Sequence, residues 1–220
     1  MLPTQDLYDE FLSDDTYRRD GAIISEAEIA QTLADSSITS CSVPVDVSQA
    51  NPADYTGYWQ QKYANFSAYN GNNINGGDPN LTKDANIYLI RYADVLLMLA
   101  EALHRGSGSD AEAQNYIDMI RERAAGPGDN TGNFRTAQQV MDEEGWSLLD
   151  LIWYERRGEL AGEGDRWYDL VRSGRASNAF SSEPDKESNF SSQRVWIPIS
   201  LEETSVASQL TTYPDESLFQ

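Results

Sequence analysis

The sequence predicts a mostly α fold: a helical hairpin of the tetratricopeptide type and further helices, with a loop-rich region and few short strands. Three observations carry this. From Ile90 onward apolar residues return every three or four positions, with Tyr92, Leu96, Leu99 and Leu103 on one stripe and Ala113, Tyr116, Ile117, Ile120 and Ala124 on the next, the period of helices that bury one face. Helix-start signatures stand ahead of such stripes, Ser109 with Glu112 and Thr136 with Gln139, where paired side chains satisfy the first unbonded amides of a helix. Between Asp35 and Asn86, by contrast, Val43-Pro44, Asn51-Pro52, Gly76-Gly77 and Asp78-Pro79 punctuate the chain too often for long elements.

In chain order, Leu7, Tyr8 and Phe11 predict a short helix over 4–12, stopped at Asp14 and Asp15. Ser25 with Glu28 predicts a second, running to about Ala34. The stripe from Ile90 ends at Gly106 and the one that Ser109 opens ends at Gly126-Pro127, so 90–125 reads as one antiparallel hairpin of about 34 to 37 residues, the size of one tetratricopeptide unit. Such a unit cannot bury its face alone, so an exposed apolar patch is expected on 90–125 or along 147–171. A third helix opens at Thr136, and a fourth, SLLDLIWYERRGEL, spans 147–160 until Gly162 and Gly164 break it. Asp165 is expected to cap a short helix with Trp167, Leu170 and Val171 that stops at Gly174. After a polar loop, 195–199 reads as extended and the tail as irregular. The expected organisation is one domain over 1–220, with a loop-rich candidate ligand region at 35–86, a helical core at 87–175, and a loop and irregular tail at 176–220.

Composition removes several mechanisms. Sixteen Lys and Arg against 36 Asp and Glu give a formal charge of −20, a surface that repels phosphate backbones and excludes nucleic acid as a partner. A single histidine, His104, and a single cysteine, Cys41, leave no disulfide within the chain and no Cys/His zinc cluster, so no metal or cofactor is expected. His104 falls in a last helical turn, where it complements the helix dipole; Cys41 reads as an inert small residue. Lysine occurs only at 62, 83 and 186, so the positive charge is nearly all arginine, the side chain suited to fixed bidentate carboxylate pairing. No apolar run approaches the ~20 residues of a membrane span, and MLPTQDLYDEF lacks the pattern of an export signal.

IRYADVLLMLAEAL (90–103), NYIDMIRERA (115–124) and ERRGELAGEGDRWYDLVRSGR (155–175), in this order, resemble the C-terminal part of the SusD/RagB family. PTQDLYDEFLSDDTYRR (3–19) is similar to the segment this family places before its ligand region, and RVWIPISLEE (194–203) resembles its near-terminal Pro-Ile-Pro stretch, with one proline here where the family has two. QLTTYPDE (209–216) matches the family's usual ending only loosely. The resemblance implies an outer-membrane lipoprotein that holds a glycan or another small nutrient at the cell surface and passes it to a TonB-dependent porin, without catalysis and without a cofactor. The family's N-terminal helical part, with its signal peptide and lipidated cysteine, has no counterpart here, and Cys41 stands mid-chain. The chain is therefore expected to be a C-terminal portion.

Two groups of residues are candidates for function. Glu155 and Glu159 are four apart on a helix, about 5 to 6 Å between Cβ atoms, close to the ~5 to 5.5 Å of a retaining glycosidase pair. Interleaved arginines lower carboxylate pKa values, the opposite of what a proton donor needs. Glu155, Arg156, Glu159, Glu163, Arg166 and Asp169 are accordingly expected to form a structural ion-pair network, with Arg91 and Arg121 as partners across the helix interface. The second group lies in DYTGYWQQKYANFSAYNGNN, 54–73. A sugar ring offers an apolar C–H face and a hydroxyl rim, which aromatic and amide side chains match. Tyr58, Trp59, Tyr69 and Asn72 are the candidate ligand contacts, and packing of the same aromatics onto the helices is the alternative. Trp146, Trp153, Trp167 and Trp196 are expected in the core. The rival functions are a glycoside hydrolase and a helical-repeat scaffold that binds only protein.

Overall fold

A computed structural model describes residues 3–28, 31, 56–62, 88–126, 134–181, 190 and 199–207. They fall in two compact units, 1–164 and 165–220. In the first, the order is α1 (Gln5–Glu10), α2 (Thr16–Ala22), β1 (Ile23–Ser25), β2 (Tyr58–Gln60), α3 (Tyr92–Arg105), α4 (Asp110–Ala124), α5 (Ala137–Glu144) and α6 (Leu148–Glu159). The second holds α7 (Arg166–Arg172), α8 (Ala176–Phe180) and α9 (Leu201–Val206). The mostly α expectation is borne out.

The helix starts follow the capping chemistry. Thr136 and Ser147 each form a reciprocal box, with Gln139 and with Asp150, and Ser109 accepts from the Glu112 amide. Asp165 occupies the corresponding place before α7 but makes no cap hydrogen bond. The Ser25–Glu28 box forms, the Ser25 amide donating to Glu28 Oε2 at 2.7 Å and the Glu28 amide to Ser25 Oγ at 3.3 Å. The expected continuation of that helix to Ala34 lies outside the described residues, as do Cys41, Trp196, the extended stretch before Ile199 and the tail beyond Ala207.

Helices α3 and α4, joined by the short Gly106–Ser109 link, pack along each other, and α6 packs across both, with α5 bridging α4 and α6. The core between them is Ala100, Ala113, Ile117, Val140, Leu151 and Ile152, with Trp146 stacked at 5.1 Å on Tyr154. The two strands pair antiparallel, with Ile24 opposite Trp59, and Ile23 joins Leu7, Phe11 and Tyr58 in a second cluster beneath them. Mid-helix Gly158 lets this N-terminal layer approach α6 closely, since a Cβ there would stand 3.3 Å from the Phe11 ring.

Three elements depart from the expectation. Residues 16–22 form a helix with no apolar stripe, held instead by Arg18, which is buried. Ser200 caps α9 by accepting from the Glu203 amide at 3.2 Å, a Ser-x-x-Glu signature in a tail expected to be irregular. On α3, Tyr92 and Leu99 turn outward with Val95 and Met98, while Leu96 and Leu97 take the interior. With Leu89 at 90 % and Ile90 at 71 % exposure they form an apolar face on the hairpin. In the second unit Trp167 is not a core residue; it is exposed and meets Phe180 at 6.2 Å.

Candidate functional site

The face of α6 that packs inward carries two carboxylates among its apolar residues. Glu155 is 0 % exposed. Its Oε2 accepts from Arg18 Nη1 at 2.7 Å and its Oε1 from Arg121 Nη1 at 2.5 Å. Arg18 also donates through Nε to both oxygens of Asp15, at 2.9 and 3.0 Å, and Asp15 accepts from the Tyr154 hydroxyl at 3.1 Å. That hydroxyl in turn accepts from the Leu12 amide at 2.9 Å. Arg121 reaches Asp14 at 2.8 Å and the Arg135 carbonyl at 2.7 Å, and Arg135 closes on Asp14 at 2.8 Å. One turn on, Glu159 accepts from Arg91 Nη1 at 2.8 Å and from Arg123. Beyond the helix end, Glu163 accepts from Arg91 and from Lys62, both at 2.7 Å. Arg156 pairs with Asp94 at 2.7 Å, and Arg157 with Asp6 and Glu10.

The electrostatics follow from burial and these partners. Burial alone would raise the Glu159 carboxyl, but Arg123, Arg91 and Arg18 outweigh it and hold the group below the usual carboxylate range. Asp14 is lowered in the same way, burial being overcome by hydrogen bonds from Arg135. Asp15 goes up because burial dominates the opposing Arg18, and the Tyr154 hydroxyl goes up through burial and the neighbouring Asp15 and Glu155. A glycosidase acid is a carboxyl with raised pKa facing a bond to be cleaved. Glu155 and Glu159 are instead buried on the packing face of α6, the first held by Arg18 and Arg121 and the second by Arg91, Arg123 and Arg18.

The sequence-expected residues separate by place. Glu155, Arg156, Glu159 and Glu163 lie together at the base of the hairpin, with Arg91 and Arg121 opposite them. Arg166 and Asp169 lie in the second unit, where Asp169 accepts from Arg172 at 2.7 Å. Arg18, Lys62 and Asp15, with Asp14, Arg123 and Arg135, also belong to the network without having been expected in it. A hint existed in the scarcity of lysine, which occurs only at 62, 83 and 186 in a chain with 36 Asp and Glu. Of the candidate ligand contacts, Tyr58 is half-buried, its ring 4.6 Å from Tyr8 and its hydroxyl donating to Gln5 at 2.8 Å. Trp59 is half-buried on β2. Tyr69 and Asn72 lie outside the described residues. His104 Nδ1 is 2.9 Å from Asp110 across the hairpin turn. No three potential ligands gather as a metal site among the described residues, and no described helix is long and apolar enough to cross a membrane.

A repeat-like helical hairpin laid on a carboxylate-bearing helix, with a strand pair at one corner, defines a mostly helical scaffold class. The chain belongs to the SusD family, whose sequence profile matches residues 35–215. SusD-like protein P38 from Formosa agariphila is 44 % identical over 93 residues, covering 42 % of this chain and 18 % of that protein. SusD-like protein P2 from the same organism is 34 % identical over 111 residues, covering 50 % and 20 %. A solved structure titled laminarin binding SusD-like protein superposes with a TM-score of 0.64 and 30 % identity, covering 97 % of this chain and 38 % of that one. The chain thus spans about a fifth of the length of the curated relatives it matches and under two fifths of the solved structure.

Proposed function

We propose that this chain is the C-terminal part of a non-catalytic nutrient-binding protein on the outer-membrane surface of a bacterium, which holds a glycan and hands it to a TonB-dependent porin. The observation that carries this reading is the superposition, over nearly the whole chain, on a protein whose title states that it binds laminarin. The ion-pair geometry supports it, because the two glutamates that a hydrolase would need are committed to arginines. The ligand is read as a saccharide of the laminarin class. Tyr58, Trp59, Tyr69 and Asn72 remain the proposed contacts, with Trp59 as the principal one, since Tyr58 already gives one side of its ring to Tyr8.

Titration calorimetry with laminarin oligosaccharides tests the reading, alongside an assay for released reducing ends. Binding without release is expected; release of reducing sugar would transfer the chain to the hydrolases. Trp59→Ala separates contact from packing. A contact role lowers saccharide affinity by about 1 to 3 kcal/mol with the melting temperature nearly unchanged, whereas a packing role costs about 3 to 5 kcal/mol of stability. Full affinity in a destabilised Trp59→Ala variant would remove Trp59 from the site.

A further inference from the structure

Strand β2 meets the end of α6 with every second residue. Tyr58 packs in the cluster that holds Ala161. Gln60 Nε2 donates to the Gly162 carbonyl at 2.6 Å. Lys62, just past the strand, donates to the Glu159 carbonyl and, at 2.7 Å, to Glu163 Oε1. The main chain is tied as well, the Gln61 amide donating to the Ala22 carbonyl at 2.8 Å and the Glu26 amide to the Gly57 carbonyl at 3.0 Å. Trp59 stands between two of these anchors. Because successive side chains of a strand alternate in direction, it takes the side opposite to Tyr58 and Gln60, across from Ile24 on β1. The close approach at Gln60 depends on Gly162, which has a φ of +80° and where a Cβ would stand 2.0 Å from Gln60 Nε2.

We propose that Gln60 is a positioning residue for saccharide binding: its hydrogen bond to the Gly162 carbonyl fixes β2 beside Trp59 and so holds the indole in one orientation. The proposal rests on the reading of Trp59 as the principal contact. Stacking on a sugar requires the ring plane to be set in advance. A two-stranded ribbon is too small to hold its own twist, so the fixed orientation must come from what the strand is fastened to. With the fastening loosened, the ring spreads over several orientations, and the apparent affinity falls by the fraction that still accepts the ligand. Gln60 is the anchor that isolates this effect. Tyr58 also belongs to the apolar cluster and Lys62 to the ion pairs around α6, whereas the Gln60 amide is neutral and its loss leaves both intact.

Gln60→Met keeps the length of the side chain and removes the donor. In protein labelled with 5-fluorotryptophan, the fluorine resonance of Trp59, assigned by its loss in Trp59→Phe, is expected to broaden or split in this variant. The resonance of Trp146, which is packed on Tyr154, should stay as it is. Affinity for laminarin oligosaccharides should fall by about tenfold, with the melting temperature nearly unchanged. Gln60→Lys, whose ammonium can reach the same carbonyl, should restore part of both readouts, and Gln60→Ala serves if Gln60→Met does not fold. An unchanged Trp59 resonance, or an altered one with undiminished affinity, overturns the proposal while leaving the glycan reading intact. A wild-type chain that binds no saccharide overturns the glycan reading itself, and the positioning role with it.

Discussion

Glu155 has no water to fall back on. Its two oxygens are shared between Arg18 and Arg121, and a buried charge that loses its partner costs far more than the pair contributes while intact. The same holds one turn on at Glu159, where the sign of the pH dependence can be worked out. The Glu159 and Asp14 carboxyls are held below their usual range in the fold. The stability they add is therefore complete above the unfolded carboxylate range near pH ~4 to 4.5 and is lost as pH falls through their lower folded values. Asp15, pushed up by burial, acts in the opposite sense: its penalty is present at neutral pH and is relieved in acid. Glu159→Gln should cost about 3 to 5 kcal/mol at pH 7, and the gap in melting temperature between wild type and variant should narrow as pH drops below 4. A gap that stays constant from pH 7 to pH 3 would mean that Glu159 is not ionised in the fold.

Helix α2 shows what the pattern of a single sequence hides. Its residues TYRRDGA repeat no apolar stripe, and it is helical because Arg18 is held by Asp15 beside it and by Glu155, 137 positions away. Nothing within a local window carries that information. Helix α9 is the contrary case, since Ser200 and Glu203 stood in the sequence as a readable cap. The long helices were legible because their stripes and caps agreed, and the alternation of acid and arginine along α6 gave away paired carboxylates, though not Arg18 or Lys62 as partners. Helix α3 was legible as a helix but not in its orientation. Tyr92 and Leu99 share the stripe of Leu96 in projection, and only the packing of α6 decides which edge goes inside. The outward edge, Tyr92, Val95, Met98 and Leu99, is a stacking face of the kind repeat helices present to a neighbour. The chain is expected to self-associate through it in sedimentation at micromolar concentration, and Val95→Glu with Met98→Glu should return it to monomer. A wild-type monomer at all concentrations would show that this face needs no cover.

The chain carries a formal charge of −20, and in the described part of the first unit arginine, not hydrocarbon alone, joins the layers. The contacts that do this are long in sequence: Arg18 to Glu155, the Leu12 amide to Tyr154 at a separation of 142, and Arg121 to Asp14 at 107. The hairpin, in contrast, closes over a four-residue link.

That contrast sets an order of events in folding. Closing a loop of well over a hundred residues loses chain entropy before any contact rewards it, so the hairpin and α6 should assemble early and the N-terminal layer should dock on them late. During synthesis, residues 5–25 leave the ribosome before α6, on which Arg18 and Phe11 pack, has followed. In stopped-flow kinetics, Ile117→Val within the hairpin core should slow folding, whereas Phe11→Leu in the N-terminal layer should leave the folding rate nearly unchanged and speed unfolding. If Phe11→Leu slows folding as much as Ile117→Val does, the layer docks early and this order is reversed.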